Sequence, residues 1–224
     1  MIEFTNVSHA YDDRVVLRDV SLDLTENRIG IVGANGSGKS TLARMINALV
    51  VPASGTVTVD GLDVSRNKRE VRRRVGFIFS DPDRQIIMPT VIEDIELSLR
   101  RTDLDKKQRA TRALEVLERF GLGEHADHPA QRLSGGQKQL LALASIFVTD
   151  PAIIVADEPT TLLDLRNTRM LTDVFATLDE QLIVVSHDLD ILDGFDRVIV
   201  VDDGRVVADD EPSPALAYYR TLMS

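Results

Sequence analysis

The run GANGSGKST at 33–41 combines glycines at 33, 36 and 38 with Lys39 and Ser40, a composition suited to holding phosphate. Glycine lets backbone N–H groups fold inward around anionic oxygens, and a helix opening at the lysine adds its partial positive charge. Lys39 then reaches the β and γ phosphates of a nucleotide as a point charge, and the Ser40 hydroxyl is placed to hold Mg²⁺. Asn35, Gly36, Ser37, Gly38 and Thr41 complete the cradle. A second set of candidates ends the apolar run IIVADE at 153–158. A carboxylate at the C-terminal end of a buried strand sits beside the phosphate loop of such a sheet. Asp157 is therefore suited to orienting Mg²⁺ through water, and Glu158, on the other side of the pleat, to polarising the water that attacks the γ phosphate. QLIVVSHD at 181–188 brings His187 to the same sheet edge as a γ-phosphate contact.

A second cradle stands at RLSGGQKQLLALASIF, 132–147. Ser134, Gly135 and Gly136 put backbone donors at the start of another helix, whose apolar residues Leu140, Leu141, Leu143, Ala144 and Phe147 face a core. Two cradles in one chain mean either two ligands or one ligand shared between two chains. Spacing does not choose between them.

The elements that must hold these groups alternate. Short Val- and Ile-rich segments (IEFTNV, RIGIVG, TVTVD, VGFIF, AIIVAD, QLIVVSH, RVIVVDDGRVV) are separated by helical spacings such as LARMINALV and ATRALEVLERFGL. That pattern predicts an α/β fold, a P-loop core with a mixed sheet covered on both faces. The first two segments and the last hairpin, turned by DDG at 202–204, read as antiparallel. Between VGFIF and AIIVAD the β pattern stops, so residues 83–150 read as an inserted helical subdomain and residues 1–82 and 151–224 as the nucleotide-binding core. Thr102 or Asp103 is the expected cap of the helix that Gly121 stops, and Pro212 to Pro214 open a tail helix.

Composition narrows the classes. With 224 residues and 43% hydrophobic content the chain suits one large core or two modest ones, and no stretch nears the roughly 18 apolar residues of a membrane span. The absence of cysteine and of a signal-like start leads to the expectation of a soluble, cytosolic protein. A net charge of −10 argues against nucleic acid as a partner. The basic run RNKREVRRR at 66–74 is expected to be a solvated helix face.

LSGGQ between a phosphate loop and a carboxylate-ended strand resembles the ATP-binding cassette of ABC transporters, from Ile2 to about Arg205. The resemblance implies that two cassettes sandwich two ATP molecules, a homodimer being favoured over a heterodimer with another cassette. Ser134 and Gly136 of one chain, with Gly135 and Gln137, would then meet the γ phosphate held by Lys39 of the other. It further implies that Tyr11 stacks on adenine, that Asp164 is the aspartate of the loop TTLLD, and that His187 is a switch histidine. The stretch FSDPDRQIIMPTVIEDI resembles the loop of energy-coupling-factor cassettes for vitamins and metals, and IGIVGANGSGKSTLARMINALV is most similar to the biotin-transporter group. On that likeness the polar end of the loop senses Mg²⁺ and nucleotide, and Gln85, Ile86, Ile87 and Met88 receive a membrane partner's helix. The partners would be a transmembrane coupling subunit and a substrate-binding membrane subunit, which hold the cassette peripherally on the cytoplasmic face of the membrane. Ser80 stands where the family has glutamine, and it is expected to contact the metal through water. The alternatives are a cassette for cobalt or nickel and a soluble iron–sulfur assembly scaffold.

Overall fold

The computed structural model describes residues 1–161 and 163–224. Three strands, β1 (Ile2–Tyr11), β2 (Arg14–Leu24) and β3 (Arg28–Val32), precede helix α1 (Lys39–Ile46). Next come β4 (Ser54–Val59), β5 (Leu62–Asp63), α2 (Lys68–Arg74) and β6 (Val75–Ile78), followed by helices α3 (Val91–Ser98), α4 (Lys106–Arg119) and α5 (Gly135–Phe147). The chain continues through β7 (Ile153–Asp157), α6 (Leu165–Ala176), β8 (Gln181–Val185), β9 (Arg197–Asp202), β10 (Arg205–Asp210) and α7 (Pro212–Leu222). Contacts divide it into two compact units: 1–77 with 152–158 and 180–224, and 78–151 with 159–179.

The first unit is built on sheets. An antiparallel sheet runs β2-β1-β4-β5, and a mixed sheet runs β10-β9-β3-β8-β7-β6. In the mixed sheet β3 lies parallel to both β8 and β9, and β7 parallel to β8, while β9 and β10 form the antiparallel hairpin expected from DDG. Asp203 and Gly204 both take positive φ there, as a tight hairpin of primed type requires. The strands β3, β7 and β8 are apolar and buried, the signature of a sheet covered on both faces. Two readings of the sequence are corrected. RIGIV is a parallel central strand, not an antiparallel one; β1 lies antiparallel between β4 and the segment Arg14–Leu24, which is absent from the predicted strands. Its apolar positions are interrupted by Arg18, Asp19 and Asp23, because one face of this sheet meets water. Helix α2 is the expected charged face: Val71 alone is buried, while Arg72 donates to the Ala48 carbonyl and Arg74 pairs with Asp60 at 3.0 Å.

The second unit is helical. Helices α3, α4 and α5 each open on a capping box, Thr90 with Glu93, Asp105 with Gln108 and Ser134 with Gln137, so orphan N–H groups are satisfied locally. The cap of α4 is Asp105, not Thr102 or Asp103, because its side chain reaches the Gln108 N–H. Gly121, at φ 68°, ends that helix as expected. The apolar face of α5 is buried, and Phe147 packs edge-on against Phe120 with ring centroids 5.5 Å apart. Helix α6, which the sequence reading kept with the core, belongs to this unit because it packs on α5.

Candidate active site

In the first unit β3 delivers the chain to the phosphate loop, and Gly38 turns it into α1. Gly38 has φ 109°, and a Cβ there would stand 2.7 Å from the Val16 carbonyl oxygen, so both conformation and space demand glycine. Tyr11, Asn35, Gly36, Gly38, Lys39, Ser40, Thr41 and Glu158 line one cavity of about 560 Å³. Ser37 lies buried in the same loop. Lys39 Nζ donates to the carbonyls of Gly33 at 2.7 Å and Ala34 at 3.0 Å, which aims the ammonium back over its own loop. Burial pulls the Lys39 pKa below its ordinary value, with the negative charges of Glu158 and Asp157 opposing the shift.

Asp157, 3% exposed at the end of β7, accepts a hydrogen bond from Ser40 Oγ at 2.8 Å and pairs with Arg44 Nη2 at 3.1 Å. A hydroxyl and a buried carboxylate from distant parts of the sequence thus meet. Arg44 escaped the sequence reading, although its position four residues after Ser40 puts it on the same helix face. The next residue, Glu158, leaves the strand at φ 56°, and its Oε2 lies 2.6 Å from His187 Nδ1 and accepts from the His187 N–H at 3.3 Å. The structure therefore joins Glu158 to His187 as well as bringing both to one sheet edge. Burial, and next the charge of Glu158, push the Tyr219 hydroxyl pKa up. No spacing in the sequence pointed to Tyr219.

In the second unit Ser134 Oγ accepts from the Gln137 N–H at 3.3 Å, and the Gln137 side chain accepts from Ser134 N–H at 2.9 Å. Gly136 lies against Asn167: a Cβ at 136 would come within 2.7 Å of Asn167 Cβ and closer still to its amide group. Asp164 caps α6 through the Asn167 N–H at 2.8 Å. Ser134, Gln137, Asp164, Arg166 and Asn167 share a cavity of about 370 Å³, so the second cradle and the TTLLD aspartate are neighbours.

The loop after β6 differs from expectation at Gln85. Its Oε1 accepts from the Phe79 N–H at 3.2 Å and its Nε2 donates to the Ala142 carbonyl at 3.1 Å, so the amide braces the loop against α5 instead of facing outward. Asp94, buried to 4% exposure, braces the apolar end: it accepts from the N–H groups of Ile87 and Met88 and from Ser145 Oγ. Ile87 is 74% exposed while Ile86 and Met88 are half-buried, which leaves Ile87 as the exposed member of the apolar trio. Ser80 is half-buried at the bend where the loop starts.

A glycine loop opening a helix, a Ser–Asp pair beside it whose carboxylate is buried, and a second carboxylate at the end of the same strand define a P-loop nucleoside triphosphatase. The second glycine-led helix start separates the chain from the wider P-loop class. Residues 17–161 match the family described as ABC transporter, and the chain belongs to that family. It is 43% identical over 221 residues to the biotin transport ATP-binding protein BioM of Rhizobium etli, covering 99% of this chain and 98% of that one. It is 34% identical to the energy-coupling factor transporter ATP-binding protein EcfA1 of Ligilactobacillus salivarius, across 95% and 78% of the two chains. CbiO1 of Clostridium perfringens, described as part of the ABC transporter complex CbiONQ, superposes with a TM-score of 0.85 at 28% identity, across 99% and 92%. The protein is accordingly an ATP-binding, ATP-hydrolysing cassette of a membrane transporter. Among the described residues no helix is long and apolar enough to cross a membrane.

Proposed function

We propose that this chain powers an importer of the energy-coupling-factor type, with biotin as the first substrate to test. In this reading it works on the cytoplasmic face of the membrane, held there by a membrane-spanning coupling subunit and a membrane subunit that binds the vitamin. The observation that carries the reading is the 43% identity, along nearly the full length of both chains, to a protein named for biotin transport.

ATP would lie in the 560 Å³ cavity, its base against Tyr11 and its β and γ phosphates among the loop N–H groups and the Lys39 ammonium. The residues fit Mg²⁺: the Ser40 hydroxyl and the Asp157 carboxylate are hard oxygen donors, and one carboxylate suffices where phosphates and water complete the shell. Bound there, Mg²⁺ would neutralise charge on the phosphates. Arg44 holds Asp157 in its acceptor orientation. Glu158 takes the proton of the attacking water, and His187 aims that carboxylate through the contact at 2.6 Å. The amide-lined start of α5 in a second chain, with Ser134 and Gly136, closes on the γ phosphate held by Lys39, which makes each site a product of two copies.

The test is isolation of the tagged chain from native membranes, followed by reconstitution of whatever co-purifies and measurement of ATP-driven uptake. Accumulation of labelled biotin is the expected result. Uptake of another vitamin would move the substrate within the same scheme, and uptake of Co²⁺ or Ni²⁺ would favour the kinship with CbiO1. Recovery of the chain without any membrane protein would overturn the proposal.

A further inference from the structure

The tip of the β1–β2 hairpin carries a cation that the reading above leaves without a role. Tyr11 pairs with Arg14 across the two-residue turn Asp12–Asp13, and residues directly opposite in an antiparallel pair share a face. Both line the cavity with Lys39, Ser40 and Thr41. Arg14 Nη2 stands 3.0 Å from the point where a Cβ on Gly36 would lie, so the guanidinium rests against the backbone of the phosphate loop. Arg14 is exposed, and among the described residues it forms no ion pair. The charged residues lining the cavity are Lys39 and Arg14 against Asp12 and Glu158. Without Arg14 the acids outnumber the single lysine on a surface that must accept a polyphosphate.

We propose that Arg14 is a nucleotide-binding residue: its guanidinium closes over the polyphosphate from the hairpin side and donates to a phosphate oxygen, while Lys39 holds the chain of phosphates from the loop. A planar guanidinium suits this task because two of its N–H groups donate in parallel to phosphate oxygens. One short hairpin would then read both ends of the ligand, the base through Tyr11 and the phosphates through Arg14. The inference rests on the cavity being the ATP site, so the experiment includes a variant that tests this premise separately.

Binding of ADP is measured by calorimetry on the full chain at low and high salt, for wild type, Arg14→Gln, Arg14→Lys and Lys39→Ala, with thermal unfolding to verify the fold. Loss of a charge-assisted hydrogen bond at an exposed site should weaken ADP binding about five- to twenty-fold in Arg14→Gln at low salt. The deficit should shrink at high salt, where exposed charges are screened, and Arg14→Lys should recover at most part of it, since an ammonium keeps the charge but not the paired N–H donors. Arg14→Gln binding ADP within two-fold of wild type would overturn the proposal, as would a deficit in Arg14→Gln that does not shrink at high salt. If Lys39→Ala also binds normally, the cavity itself is misassigned; if only Lys39→Ala fails to bind, the ATP site stands and the role of Arg14 falls.

Discussion

Replacing Gln85 with alanine removes two hydrogen bonds from one loop at once, the acceptor for the Phe79 N–H at 3.2 Å and the donor to the Ala142 carbonyl at 3.1 Å. A neutral hydrogen bond contributes about 0.5–1.5 kcal/mol net, and these lengths belong to the weaker half of that range, so the pair is worth roughly 1–2 kcal/mol. The turn at 82–84, the Asp94 clamp and the Lys138–Asp83 ion pair at 2.6 Å remain, so the unit stays folded and the cost falls on local opening. Hydrogen exchange is the suitable assay. A local cost near 1.4 kcal/mol corresponds to about tenfold faster exchange at the amides of Phe79, Gln85 and Ile86. Gln85→Glu sharpens the test, because its carboxylate still accepts from Phe79 but faces the Ala142 carbonyl oxygen with a second acceptor. At neutral pH it should open the loop at least as much as alanine does, and acidification should restore closure as the protonated carboxyl donates to that carbonyl. Exchange at these amides within two-fold of wild type in Gln85→Ala would refute the idea that the side chain braces the loop.

Gly136→Ala forces a methyl group into Asn167 and should destabilise the helical unit by about 1–3 kcal/mol in urea denaturation, with Asn167→Ala restoring only part of the loss, because it removes the amide but leaves the Cβ that stands 2.7 Å from the new methyl. Burial of Glu26 disfavours its charge, but Arg197 at 2.9 Å together with the backbone N–H groups of Glu26 and Thr25 holds the carboxyl below its ordinary 4.5. A depressed folded value contributes stability above the unfolded pKa, so the advantage of wild type over Glu26→Gln should be complete above pH 4.5 and vanish as pH falls through the folded value. Light scattering should find Glu158→Gln doubling its mass with MgATP and not without it; an unchanged mass would remove the proposed homodimer.

The phosphate loop was legible in the sequence because its chemistry is local: glycines, lysine and serine act from consecutive positions, and the buried strand before them is equally plain. The strands β3, β7 and β8 were legible for the same reason, since burial on both faces leaves uninterrupted apolar runs. Strand β2 was not, because water on one face admits Arg18, Asp19 and Asp23 among its apolar residues. Roles set by tertiary partners were hidden as well. Nothing in the chain order shows that Arg44 reaches Asp157, that Asn167 lies under Gly136, or that Gln85 turns inward to α5. Asp105 displaced the earlier cap candidates because a helix starts where the side chain reaches an N–H three residues on, a geometry that Thr102 and Asp103 only approximate in sequence.

The most direct test of the central claim, hydrolysis of ATP at the site where Lys39, Ser40, Asp157 and Glu158 converge, is steady-state turnover of Glu158→Gln in the assembled transporter, with ATP binding measured alongside. The amide is nearly isosteric with the carboxylate but takes no proton, and loss of a positioned general base costs about 10²- to 10⁴-fold in rate. The account predicts ATP binding as in wild type and turnover reduced by at least a hundredfold. Turnover within a factor of two of wild type, with binding intact, would contradict it.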